Sequence, residues 1–141
     1  MPVLFDSSVY IGALRSGGAQ GVPLLRWKED SPLWLHAVVL EELYAGMTPS
    51  QHPLVERMER DFSNMRRILV PNQGDWAKSG RILNRIGEKY GFESIGKSRL
   101  TNDALIAVSA ARSGIKVITA NVRDFERLTE FCPLQFHVPN S

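Results

Sequence analysis

The sequence predicts one α/β domain built on a small parallel sheet, and three observations lead there. Apolar runs of three to five residues alternate with stretches of helical period along the whole chain. Most of these runs are bounded by Pro, Gly or Asp, as short buried strands are. The 141 residues, 43% of them hydrophobic, suit a single core. A chain near this length buries roughly 68–70% of its unfolded surface, so neither disulfides nor a structural metal are required. No repeat, low-complexity segment or linker divides residues 1–141.

The elements follow in order. Val3-Leu4-Phe5 is a buried strand ending at Asp6. Ser7 or Ser8 then caps a helix running to about Arg15, which Ser16-Gly17-Gly18 stops. A second helix lies near Val22–Lys28, with Pro23 in its first turn. Leu33–His36 is a strand and Val38–Ala45 a helix, stopped by Gly46 and the Thr48-Pro49-Ser50 turn. His52–Arg67 is amphipathic, with Leu54, Val55, Met58, Phe62 and Met65 on its apolar side. The charges from Glu56 to Arg67 read as its solvated face. Ile68-Leu69-Val70 is a third strand. Asp75–Tyr90 is a helix with Trp76, Ile82, Leu83 and Ile86 inward. Leu100–Arg112 is a largely apolar helix ended by Gly114, Lys116–Thr119 a strand, Asp124–Thr129 a helical turn and Leu134–Val138 a last strand. The sheet therefore has four to five short strands flanked by helices.

Composition excludes several classes. No apolar run approaches the ~18–20 residues that span a bilayer, and the N-terminal stretch lacks the basic region of a signal peptide. The single cysteine, Cys132, makes no internal disulfide and no cysteine-based zinc site, which points to the cytoplasm. With 17 basic and 15 acidic residues there is no basic excess of the kind that marks a dedicated nucleic-acid-binding domain. An enzyme whose acidic centre offsets a basic rim would average out in the same way.

Four carboxylates lie against apolar sequence. Asp6 ends the first strand, where open α/β sheets bind ligands, though a turn or cap acid also sits there. Of the pair Glu41-Glu42, the helical wheel favours the second. It places Glu41 about 153° from the stripe of Val39, Leu40 and Leu43, and Glu42 about 107° from it. Asp103 shares a face with Ile106, Ala107 and Ala110; its plain alternative is a first-turn acid favoured by the helix dipole, with Thr101 or Asn102 as cap. Asp124 follows the Lys116–Thr119 strand, with Asn121 between, and a cap for Phe125–Leu128 is its plain alternative. If these acids converge, like charges raise one another's pKa values and cannot all ionise unaided. A hard divalent cation such as Mg²⁺ or Mn²⁺, which takes oxygen ligands, relieves this and supports phosphate-ester hydrolysis.

The strings VLFDSSVYI, LEELYAG, NDALIAVSA and TANVRDFERL resemble, in order and spacing, the four motifs of PIN-domain ribonucleases, and in particular the VapC toxins of bacterial toxin–antitoxin pairs. The resemblance runs from Val3 to Leu128. It implies a single PIN-like domain and an endoribonuclease dependent on Mg²⁺ or Mn²⁺. It also implies a homodimer, held inactive by a cognate antitoxin protein. Carried over by motif, Asp6, Glu42 and Asp103 match metal-binding acids. The fourth position is Asp124 or Asn121, and Ser7 and Thr119 match supporting hydroxyl positions.

Other signals carry less. Gly91–Ser98 fits G-x-x-x-x-G-K-S letter for letter, but a phosphate loop needs a strand before its first glycine, and Arg85–Tyr90 is charged and helical. Lys97 and Arg99 would equally meet RNA phosphates. A receiver domain needs a central-strand Asp that Ile68-Leu69-Val70-Pro71 does not offer, and a D-x-D phosphatase fails at Ser8. His36, His52 and His137 lack mutual ligand spacing and read as surface or satisfied histidines. Trp27, Trp34 and Trp76 read as core or interface residues. A non-catalytic PIN-like binding module is the remaining alternative to a nuclease.

Overall fold

The strands are β1 (Val3–Phe5), β2 (Leu33–His36), β3 (Ile68–Leu69), β4 (Lys116–Ile118) and β5 (Phe136–His137), in the order β3-β2-β1-β4-β5. Every neighbouring pair is parallel, which is why the runs are continuously apolar rather than alternating. The structure is a computed structural model that describes residues 1–15, 31–93, 95 and 100–138. The helix expected near Val22–Lys28, the Ser16-Gly17-Gly18 stop, Trp27, and residues 94 and 96–99 lie outside the described residues.

Six helices connect or flank the strands among the described residues: α1 (Ser7–Arg15), α2 (Ala37–Gly46), α3 (His52–Asn64), α4 (Gln73–Tyr90), α5 (Leu100–Ser113) and α6 (Val122–Thr129). The core is centred on Leu4, Phe5, Leu35, Ile106 and Ile118, with Leu43, Ile86, Phe125 and Leu128 closing it from the helices. Helix α5 is buried from Asp103 to Ala110. Ala104, Ala107 and Ala110 keep its surface low, and it packs against α4, α6 and β4.

Several expectations need correction. Ser7 and Ser8 lie inside α1, so Asp6 itself holds the position before the helix. Thr101 and Asn102 lie inside α5 and cannot cap it. Helix α3 ends at Asn64; Arg66 then takes a positive φ of 56°, and the chain enters β3. Leu54 and Met65 are exposed, because the buried stripe is Val55, Met58 and Phe62, and Leu54 is a full residue step off it.

Trp76 is also misplaced by periodicity. The stripe that α4 buries is Asp75, Ser79, Ile82 and Ile86, two of them polar, and it leaves Trp76 61% exposed. Asp75 is tolerated there because Arg112 of α5 donates to both of its carboxylate oxygens, from Nε at 2.9 and 3.0 Å and from Nη2 at 2.9 Å. Burial alone would raise the Asp75 carboxyl; the guanidinium and the Asn72 N–H hold it below its usual value.

His36 is a satisfied core histidine, as expected. Its Nδ1 accepts the Val38 N–H at 3.0 Å, which leaves the proton on Nε2 to donate to Ser109 Oγ at 2.7 Å. His52 Nε2 donates to the Tyr44 carbonyl at 2.9 Å, and His137 is exposed. The phosphate-loop alternative fails on context: residues 73–90 are helical, and Gly91, at φ 95°, follows the end of that helix, where a strand was required.

Candidate acidic site at the carboxyl ends of the strands

Strand order reverses at β1, with β2 on one side and β4 on the other, and in open α/β sheets the crevice at such a point receives the ligand. Asp6 follows β1 and Thr119 follows β4. Because Phe5 pairs with Ile118, the next residues stand side by side, and Thr119 Oγ1 donates to Asp6 Oδ2. Ser8 Oγ donates to the other oxygen, Oδ1, and accepts the Ala120 N–H at 3.2 Å. The N–H groups of Ser8 and Val9 at the start of α1 also point at this carboxylate. Burial nevertheless outweighs these donors and raises the Asp6 pKa. The cap role and a site role thus fall on one residue.

Asp103, in the first turn of α5, is buried. Its pKa is pushed up to about 8, first by desolvation and then by the negative charges of Asp6, Asp124 and Glu42. The four acids singled out in the sequence therefore share one electrostatic neighbourhood. Glu42 is half-buried while Glu41 is exposed, in line with the helical wheel.

Asn121 precedes α6 but does not cap it with its side chain. Instead Nδ2 donates to Asp103 Oδ2 and to Asp124 Oδ2, both at 3.0 Å, while its backbone N–H donates to Thr119 Oγ1 at 2.8 Å. The Asn121 amide thus bridges two of the acids, and its backbone ties them to the hydroxyl that holds the third. Among the described residues, no three Asp, Glu, His or Cys side chains already stand in ligating geometry around one point. The donors are all oxygens, and the hard character of that set suits Mg²⁺ or Mn²⁺. Ser7, expected as a supporting hydroxyl, is buried beside Asp6, but the hydroxyls on the Asp6 carboxylate are those of Ser8 and Thr119. Sequence reasoning passed over Ser8; the parallel register that brings residue 120 to it is a tertiary fact.

A five-stranded parallel sheet with acids gathered at its switch point defines a class of α/β domain. The chain belongs to the PIN-domain family, whose profile matches residues 3–130. Among solved structures it is similar to the DNA-bound VapBC of Salmonella typhimurium (TM-score 0.69, 18% identity, 98% of each chain covered). It is also similar to VapBC2 of Rickettsia felis bound to a promoter DNA fragment (TM-score 0.68, 18% identity, 99% of this chain and 100% of that one). A third is VapBC-1 of nontypeable Haemophilus influenzae (TM-score 0.65, 20% identity, 98% of each). At these identities the likeness is one of fold. No curated protein matches the sequence.

Proposed function

We propose that this PIN-domain protein is a Mg²⁺- or Mn²⁺-dependent endoribonuclease and the toxin of a toxin–antitoxin pair, acting in the cytoplasm. The observation that carries the reading is Asp103: ionising a buried carboxyl in the field of three further acids is costly unless a cation shares the pocket. Asp6, Glu42, Asp103 and Asp124 would hold that cation, with the Asn121 side chain contributing directly or through water. When bound, a divalent ion supplies charge neutralisation and water activation for phosphodiester hydrolysis. Thr119 and Ser8 fix the Asp6 carboxylate, and Asn121 fixes Asp103 and Asp124, so the acids are oriented before substrate arrives. The fold likeness to chains of VapBC complexes supports a cognate antitoxin as partner, and we propose a homodimer beside it.

The test is cleavage of single-stranded RNA with and without Mg²⁺ or Mn²⁺. Cleavage should need the ion and disappear in Asp6→Asn and Asp103→Asn, each of which keeps a native circular-dichroism spectrum. If both variants cut RNA as fast as the parent, the assignment of these acids as catalytic fails; if the parent cuts no RNA with either ion, a non-catalytic binding module takes the nuclease's place. Size-exclusion chromatography of the purified chain tests the dimer, and its co-purification with the product of a short adjacent reading frame tests the antitoxin.

A further inference from the structure

Beside the acids lies a second feature, a cleft of about 230 Å³ between the starts of α2, α4 and α5. Its apolar lining includes the Trp76 indole with Val38, Val70 and Leu105; its polar lining is Glu41 and Asn102. Trp76 and Val70 are 61% and 62% exposed, although both belong to residue types that normally seek burial. The cleft and the acidic site draw on the same two helices at successive positions, Glu41 next to Glu42 on α2 and Asn102 next to Asp103 on α5. It falls short of the ~300–1,000 Å³ of pockets that enclose larger ligands, and suits one planar ring system.

We infer that this cleft is the subsite for a nucleobase next to the scissile phosphate, and that it prefers guanine. The inference rests on the ribonuclease reading and deepens it. Single-stranded RNA offers splayed bases that stack on aromatic faces and are read along their Watson–Crick edges. Trp76 supplies the face. Glu41 supplies a carboxylate with two parallel acceptors, which match the adjacent N1–H and N2–H donors of guanine. Adenine and cytosine each present a single exocyclic amine on that edge, and uracil flanks its one N–H with two acceptors that a carboxylate repels. Asn102 carries an amide able to donate to guanine O6. The negative charge of Glu41 disfavours a phosphate here, which fits a base rather than the backbone.

The test uses the full chain carrying Asp103→Asn, so that bound RNA stays intact, and fluorescence anisotropy with labelled hexaribonucleotides in Mg²⁺. An oligonucleotide with one G among A residues should bind about tenfold tighter than all-A, within the range of stacking and edge contacts. Trp76→Ala should weaken both by about tenfold, and Trp76→Phe should restore most of the loss. Glu41→Gln should bring the G-containing RNA to the level of all-A. Trp76 is exposed, so its loss should leave the fold intact, which circular dichroism checks. RNA affinity unchanged by Trp76→Ala overturns the inference, and a lost interaction with the antitoxin in that same variant reassigns the cleft to protein docking. These ratios are read from binding alone, so they stand apart from a failure of the parent chain to cleave RNA.

Discussion

Thr119 Oγ1 donates a hydrogen bond to Asp6 Oδ2 across the seam between β1 and β4, joining residues 113 positions apart. The bond follows from register, since Phe5 opposite Ile118 puts the two next side chains at the same level. Removing it should leave Asp6 raised further by burial and less well aimed. Thr119→Val, nearly isosteric, should weaken metal affinity by about 10–100-fold, the usual cost of losing an outer partner of a ligand. Thr119→Ser should retain it. Isothermal titration with Mn²⁺ reads the difference, and equal affinities for Val and Thr would deny Thr119 this role.

Asp103 sets a trade between stability and function. Its folded pKa of about 8 lies above its ordinary 3.8, so between those values the folded state holds a proton that the unfolded state releases. Stability therefore falls as pH rises through that window. Asp103→Asn removes the effect and should stabilise the metal-free protein at pH 7 by on the order of 2–4 kcal/mol, while abolishing cleavage. Denaturant titration at pH 5 and pH 7 checks it: the gain should be small at the lower pH. A loss of stability at pH 7 would contradict the strained-acid picture.

Cation binding should offset the same repulsion. At a hundredfold excess over its dissociation constant, Mg²⁺ or Mn²⁺ should stabilise the parent by about 2.7 kcal/mol, reversibly with chelator. The Asp6→Asn/Asp103→Asn double variant should show almost none of this. Thermal melts with and without metal provide the comparison, and an equal shift in both proteins would place the ion elsewhere.

His36 predicts acid sensitivity. Burial depresses its pKa to about 4 from 6.5, with Asp75 opposing in part. The neutral form is what the fold accommodates, so stability is complete above 6.5 and lost as pH falls toward 4, by on the order of 3 kcal/mol. His36→Gln should flatten this part of the pH–stability curve, at the cost of weaker Val38 and Ser109 bonds. An unchanged slope would assign acid lability elsewhere.

Asp75 and Arg112 join α4 to α5, the helix that carries Asp103. The depressed Asp75 pKa adds stability above its ordinary 3.8, lost below it. Arg112→Met should destabilise more than Asp75→Asn, because it leaves a buried carboxylate unpaired, whereas the amide still accepts from the Asn72 N–H. Equal melting temperatures for the two variants would show that the pair acts only through shape.

Strand positions were legible because each apolar run is short and soon closed, as by Asp6 after Phe5, although the third strand ends at Leu69 and leaves Val70 exposed outside it. The burial of Asp103 was legible too, since its helical neighbours are alanines and isoleucine. Trp76 was not. Periodicity puts an indole inward, and only the Arg112 guanidinium arriving from another helix makes Asp75 the inward residue instead. Ser8 and the bridging role of Asn121 escaped for a related reason: Ser8 reads as a helix cap, and Asn121 as a candidate for the fourth position, until the opposite strand end is in place.

Order and spacing of residues along the chain determined the strand–helix alternation, the parallel sheet and which acids stand out, because local pattern and propensity act over a few residues. Only the tertiary structure decided that Asp6, Glu42 and Asp124 all act on the buried Asp103, that Asn121 ties two of the acids together, and that an indole is left exposed near the start of α4. Those contacts depend on strand register and helix packing between segments as far apart as Asp6 and Thr119, which no local pattern encodes.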